Sequence, residues 1–216
     1  MKSLFKVILI IGLCSASTFI LIQLTGIISV EKIELWFNQI RRISPLYLAG
    51  FVILLMFIDL FISIPTLATI ILAGHFMGYP YGAAAAITGL MIAGSSGYLL
   101  GNIFGDKILN YIMKAPNERA EVITSFNQHG FVMILISRAA PVLPEVTTVI
   151  AGMTKMPYLK FICAWSLSIM PYCVLAAYAG SLSSLNDPTP AVIAWAFLSS
   201  ILWISWFIFN KKRKTT

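Results

Sequence analysis

The sequence predicts an all-α integral membrane protein with about four transmembrane helices and two opposed re-entrant helical hairpins, the hairpins forming an inverted repeat flanked by interfacial amphipathic helices. Three observations lead there. Apolar residues make up 59% of the 216 positions and charged residues 11%, with a mean hydropathy of +0.89, a balance far from that of soluble domains. Apolar blocks long enough for a bilayer recur along the whole chain. Two of them carry ionisable residues and prolines, and interrupted apolar segments in two halves of a chain are the sequence mark of a transport site built from broken helices.

Residues 1–30 read as a membrane anchor. Leu4 to Ile28 follows Lys2 and Lys6 and stays apolar for about 25 residues, longer than a secretory h-region of about 7–15 and enough to cross a core of about 30 Å. Residues 31–45 read as an interfacial amphipathic helix, because Ile33, Trp36, Phe37 and Ile40 recur on one helical face. Residues 46–180 form the membrane domain, with blocks at Leu46–Leu72, Ala83–Phe104, Phe131–Met153 and Leu159–Gly180. The polar stretch from Gly105 to Gly130 between them reads as interfacial helix, with Pro116 opening its second part and Gly130 closing it. Residues 181–216 supply a last transmembrane helix, Ala191–Phe209, and a basic KKRK tail.

The broken blocks at 46–72 and 131–153 are expected to dip into the membrane and return. Loop charge supports that count: Lys2, Lys6, Lys107, Lys114, Arg119, Lys155, Lys160 and the tail Lys211, Lys212, Arg213 and Lys214 then share one side, against Lys32, Arg41 and Arg42 on the other. The positive-inside rule makes the richer side, with both termini, cytoplasmic. The expected location is a bacterial plasma (inner) membrane.

Laid side by side, the broken blocks match. One reads DLFISIPTLATIILAGHFMGYPY from Asp59 and the other RAAPVLPEVTTVIAGMTKMPY from Arg138. Each has a proline (Pro65, Pro144), a β-branched run, an Ala-Gly pair ending at Gly74 or Gly152, and then Pro-Tyr. Pro65, Gly74, Pro141, Pro144 and Gly152 are therefore the candidate hairpin-shaping residues. Asp59, Arg138, Glu145 and His129 are the candidate substrate- or proton-binding residues, since intramembrane charges are expensive and mark functional sites. Arg138 offers a fork for phosphate or carboxylate, and Asp59 and Glu145 can hold a cation, carry a proton or neutralise Arg138. Asp59 and Arg138 each stand six residues before their proline, which predicts that they neutralise one another near the midplane. Gly89, Gly94, Gly97, Gly101 and Gly105 predict close helix packing.

The segments IPTLATIILAGHFMG, GLMIAGSSGYLLGNIFGD and FNQHGFVMILISRAAPVLPEVTTVIAGMTKM resemble the successive motifs of the SNARE-associated Golgi protein family, also called the VTT domain, whose bacterial branch includes the DedA proteins. The resemblance covers about residues 46–180. It implies opposed re-entrant hairpins and movement of lipids across the bilayer: phospholipid scrambling in eukaryotic members, recycling of an undecaprenyl-phosphate carrier in DedA members. DedA members of the second kind commonly carry a further arginine six residues after the first, where this chain has Pro144 followed by Glu145. The Pro-Glu form is similar to the branch related to the yeast Golgi vesicle protein.

Walker loops, paired metal-binding histidines, Ser-His-Asp sets and dinucleotide glycine fingerprints are missing from the sequence, so an ordinary enzyme is not expected. Neither a cofactor nor a metal site is predicted, and Cys14, Cys163 and Cys173 read as small core residues. The expected function is a membrane lipid transporter, scramblase- or flippase-like, passing a phospholipid or phosphorylated lipid head group through a polar cleft between the hairpins. A proton-coupled transporter of a small solute or ion, and a non-transporting assembly or trafficking factor, stand as alternatives. The expected partners are membrane lipids, protons and a second copy of the chain in a homo-oligomer, with no nucleic acid.

Overall fold

Proline and serine start the helices of this chain, and the apolar pattern decides what they bury. In the computed structural model the described residues are 30–41, 44–62, 64–112, 115–139 and 143–183, with single positions at 189, 193, 196, 197 and 200. The anchor expected before residue 30, most of the last predicted span, the KKRK tail and Pro141 lie outside them. The described residues form seven α-helices and no strand.

Helix α1, Val30–Arg41, presents the predicted stripe. Its Ile33 and Phe37 are fully buried, Phe37 packing edge-on to Phe51 and tilted against Phe76. The stripe is spent on protein. Helix α2, Pro45–Ile58, begins where the Ser44 hydroxyl accepts from the Leu46 N–H at 3.3 Å and Pro45 occupies the first turn, a position where a missing N–H costs nothing. It stops at Asp59, and after a break α3 runs from Thr66 to Met77. Helices of 14 and 12 residues reach about 21 and 18 Å, each short of a hydrocarbon core of about 30 Å.

Helix α4, Tyr79–Ile112, has 34 residues. Helix α5 covers Pro116–Ile136 and passes into a short 3-10 turn at Ser137–Ala139; further along the chain, α6 covers Leu143–Met153 and α7 Tyr158–Leu182. Two described helices, α4 and α7, are long and apolar enough to cross a membrane. Two sequence expectations are corrected here. Gly130 does not close a helix: it lies buried inside α5 against the Phe126 ring, where the close approach of that ring explains the missing side chain. The polar stretch from Gly105 continues α4 as far as Ile112. Pro65 caps α3 and Pro144 sits in the first turn of α6, so both prolines stand at the starts of the short helices.

The internal repeat extends well beyond the two broken blocks. Each short helix packs on the long helix of the other half, α3 on α7 and α6 on α4, at matching points. A side chain at Gly74 would strike the backbone of Ala177, and one at Gly180 the backbone of Ile71; one at Gly152 would strike Tyr98, and one at Gly101 Val149. The constant offset that carries Asp59 onto Arg138 also carries Tyr98 onto Ala177 and Gly101 onto Gly180, and it narrows by one residue for Ile71 onto Val149 and Gly74 onto Gly152. The same offset relates the pair Met56 and Gly89, which meet, to Leu135 and Ser168, which also meet through the Ser168 hydroxyl on the Leu135 carbonyl at 3.4 Å. The crossed contacts between short and long helices thus recur with the roles of the two halves exchanged. Tyr98 stacks on Phe161, whereas Trp165, further along α7, donates to the Leu90 carbonyl, earlier on α4, at 2.9 Å. The two long helices are antiparallel.

Candidate functional site

The polarity of this site begins where the chain has to close the gap between α2 and α3. A residue before proline is disfavoured in helical conformation, so α2 and α3 cannot merge through Ile64 and Pro65. Asp59 closes the gap. Its Oδ1 accepts from the Ile64 N–H at 2.7 Å and its Oδ2 from the Thr66 hydroxyl at 2.7 Å, and the residue is only 4% exposed. Both oxygens are held by the chain that follows them, which makes Asp59 a clasp across the first break.

The equivalent position of the second half is Arg138. Arg138 leaves the 3-10 turn and points its guanidinium between two rings of α7, its Cζ 5.3 Å from the Trp165 centroid and 4.8 Å from the Tyr172 centroid. Ring faces attract a desolvated guanidinium. Its Nε and Nη2 are nevertheless buried without a hydrogen-bond partner, as is Oε2 of Glu145. Buried polar atoms are almost always paired, so an orphaned set calls for an explanation. The Arg138 charge bears on both Asp59 and Glu145, and the two carboxyl groups bear on one another. These residues share one electrostatic site, although the clasp of Asp59 is made with Ile64 and Thr66 rather than with the guanidinium.

Helix α4 holds the two breaks side by side. A side chain at Gly97 would run into Thr148, one turn into α6, and into Leu60 of the first break, whose Cδ1 lies 3.1 Å from the ideal Cβ position. A glycine in α4 is therefore what admits both tips. The Thr147 and Thr148 hydroxyls donate to the carbonyls of Pro144 and Glu145 at 2.8 and 2.7 Å, so the start of α6 spends its own polar groups locally. An aromatic wall continues from Arg138 through Trp165 and Phe161 to Tyr98, with the successive pairs stacked. The Tyr98 hydroxyl donates to the Met156 carbonyl at 2.6 Å.

Of the residues singled out in the sequence, Asp59, Arg138 and Glu145 come together. His129 does not: it is exposed, and its Nδ1 lies 3.3 Å from the Ser125 carbonyl one turn back on the same helix. Gly74 and Gly152 take equivalent seats in the crossed packing, away from the charges. Thr66, Trp165 and Tyr172 were not picked out. Thr66 follows Pro65 directly, and Trp165 and Tyr172 are two helical turns apart on one face of α7. That spacing was the available signal.

Comparison with known proteins agrees with this architecture. Residues 64–182 match the VTT domain. Over 80 residues, 37% of this chain, the sequence is 29% identical to the undecaprenyl phosphate transporter A of Bacillus subtilis (strain 168). The matched part spans 40% of that relative's length. No solved structure matches. Because the VTT domain match takes in more than half of the chain, including both long helices, this protein belongs to the VTT domain (DedA) family.

Proposed function

We propose that this protein moves a phosphate-bearing lipid across the bilayer without covalent chemistry, its head group passing between the two hairpin tips while its tails stay in the membrane. The observation that carries the reading is the pair of unpartnered Arg138 donors, buried beside two carboxyl groups and between the rings of Trp165 and Tyr172. A guanidinium fork matches phosphate geometry. The similarity to an undecaprenyl phosphate transporter supports lipid as the cargo class.

In this reading α2–α3 and the α5–α6 break are re-entrant hairpins entering from opposite faces, as a two-fold axis across the antiparallel α4 and α7 requires if these two cross the membrane. The charges then lie near mid-depth, where desolvation makes each interaction strong and each vacancy expensive. Clasping by Asp59 keeps the first tip shut as the head group passes Arg138, and the aromatic wall shields the tails' side of the route.

The test is purified full-length protein in vesicles with a trace of acyl-labelled phospholipid, followed by quenching from outside. Vesicles with protein should lose well over half of their signal, with no dependence on an imposed pH gradient. Quenching that stops at the outer leaflet overturns the reading. Gradient-driven uptake of a small solute in the same vesicles would support the proton-coupled alternative instead.

A further inference from the structure

We propose that α7 is a jointed helix: Pro171 divides it into an arm fixed to α4 and α5 and an arm that swings together with α3, and the swing uncovers Arg138 from one side. The joint stands on the packing of α7 alone, while its use in passing a lipid rests on the lipid-moving reading above.

Pro171 lies inside α7. A proline there has no N–H for the carbonyl four residues back, that of Leu167, and its ring crowds the same carbonyl, so the helix bends most readily between the two. The ties of α7 to its neighbours sort on either side of this point. Before it, Phe161 stacks on Tyr98, Trp165 donates to the Leu90 carbonyl at 2.9 Å, and Ser168 donates to the Leu135 carbonyl at 3.4 Å. Those partners belong to α4 and α5. After it, Ala177 receives Gly74, Gly180 receives Ile71, and the carbonyl of Ser183, the residue that caps α7, lies 2.8 Å from Nδ1 of His75. Those partners belong to α3.

Helix α3 is free to follow the swinging arm. One of its ends meets the break that Asp59 clasps and the other meets Gly78, with φ of 80°, so no continuous helix ties it to α2 or α4. Its contact with α4 at Ala73 and Gly82 lies beside the Gly78 pivot, where a swing displaces least. The other half has no matching joint. The offset that carries Asp59 onto Arg138 carries Ile92 onto Pro171, and the one proline of α4, Pro80, stands in its first turn. Helix α6, seated on α4 at Gly97 and Gly101, therefore rests on a continuous helix. The two rings over Arg138 belong to different arms, Trp165 to the fixed one and Tyr172 to the swinging one. Movement of the second arm withdraws Tyr172 and bares the guanidinium towards α3, while Trp165 keeps hold of it. Access to the site is then one-sided.

The experiment measures distances between paired spin labels in the full chain, reconstituted in vesicles with the native cysteines replaced. One pair, Ile103→Cys with Leu182→Cys, spans α4 and the swinging arm. The control pair, Ile103→Cys with Leu167→Cys, spans α4 and the fixed arm, and all three positions are exposed. The first pair should give a broad or two-peaked distribution and the control a single narrow one. Pro171→Ala, which restores the missing helix hydrogen bond, should narrow the first pair to one peak without lowering the melting temperature. It should also slow lipid movement by about tenfold, the population shift that one such bond brings. Equal widths for the two pairs before the proline is changed, or a first pair that Pro171→Ala leaves as broad as before, overturn the joint. Full lipid movement by a Pro171→Ala protein whose distances have narrowed overturns its part in opening the site. A broad first pair in a protein that moves no lipid upholds the joint and overturns the lipid-moving reading instead. Should Pro171→Ala not fold, the comparison of the two pairs decides alone.

Discussion

Arg138 lays its planar, permanently charged group over the rings of Trp165 and Tyr172 with its Nε edge unpartnered. Replacing it by Lys keeps the charge and loses both the ring stacking and the fork. Lipid movement in Arg138→Lys should therefore fall by about tenfold or more and in Arg138→Gln further still, since each charge-assisted contact is worth about 1.5–3 kcal/mol. Equal rates for the lysine variant and wild type would show that a point charge suffices. A second residue-scale prediction concerns Lys155. It has φ of 54°, and its counterpart before the Pro-Tyr of the first half is Gly78, with φ of 80°. The turn demands a left-handed residue in both halves, and only one half uses glycine. Lys155→Gly should raise the melting temperature, because a left-handed side-chain residue costs about 1–2 kcal/mol and the exposed Lys155–Asp106 pair, at 3.9 Å, returns less. A lower melting temperature would mean that the reach of Lys155 across to α4 outweighs the backbone cost.

At the scale of elements, the sequence made the broken helices legible but not their closure. Prolines at 65 and 144, followed by β-branched runs and Ala-Gly, were enough to find both short helices. What could not be read is that Asp59 would be claimed by Thr66: a sidechain clasp across a break depends on where the chain returns, and no periodicity encodes that. Its consequence is that exchanging the charges of Asp59 and Arg138 should not restore folded protein, because Arg at 59 cannot accept from Ile64 and Thr66. The small residues were legible as packing sites, and the structure tightens what they tolerate. At Gly74 and at Gly152 even a methyl group would collide with backbone of the facing helix. Gly74→Ala and Gly152→Ala should each lower stability by about 1–3 kcal/mol, by similar amounts in the two halves, read from thermal unfolding in detergent. A harmless alanine at either seat would show that the crossed helices are not in contact there.

Across the whole molecule, the matched pairs 74 with 177 and 152 with 98 could not be seen in one sequence, because α4 and α7 share too few residue types to align by eye. Only their contacts reveal the offset. A pseudo-two-fold axis between antiparallel long helices predicts that equivalent turns face opposite sides of the membrane. Tyr79, beside the Gly78 turn, and Leu159, beside the Lys155 turn, are both exposed. Tyr79→Cys should be labelled from the outer face and Leu159→Cys from the cytoplasm, with the native cysteines removed. Labelling of both from one face would sink the inverted arrangement. Gly78 itself is a poor labelling site, given its left-handed backbone.

The crossing of short helices onto the opposite half also dictates an order of assembly. When α2 to α4 leave the ribosome, the seats at Ile71 and Gly74 have nothing to receive them, since Gly180 and Ala177 belong to α7, made more than half a domain later. Such distant pairings make folding slow and leave a waiting intermediate. Helices α2 to α4 must therefore linger unfinished at the insertion machinery or under a chaperone until α7 docks. Cutting the gene between Ile112 and Pro116 and expressing the pieces together should yield a stable, co-purifying pair, while either piece alone is degraded. The mutual dependence of the halves would then be a property of biogenesis as much as of architecture.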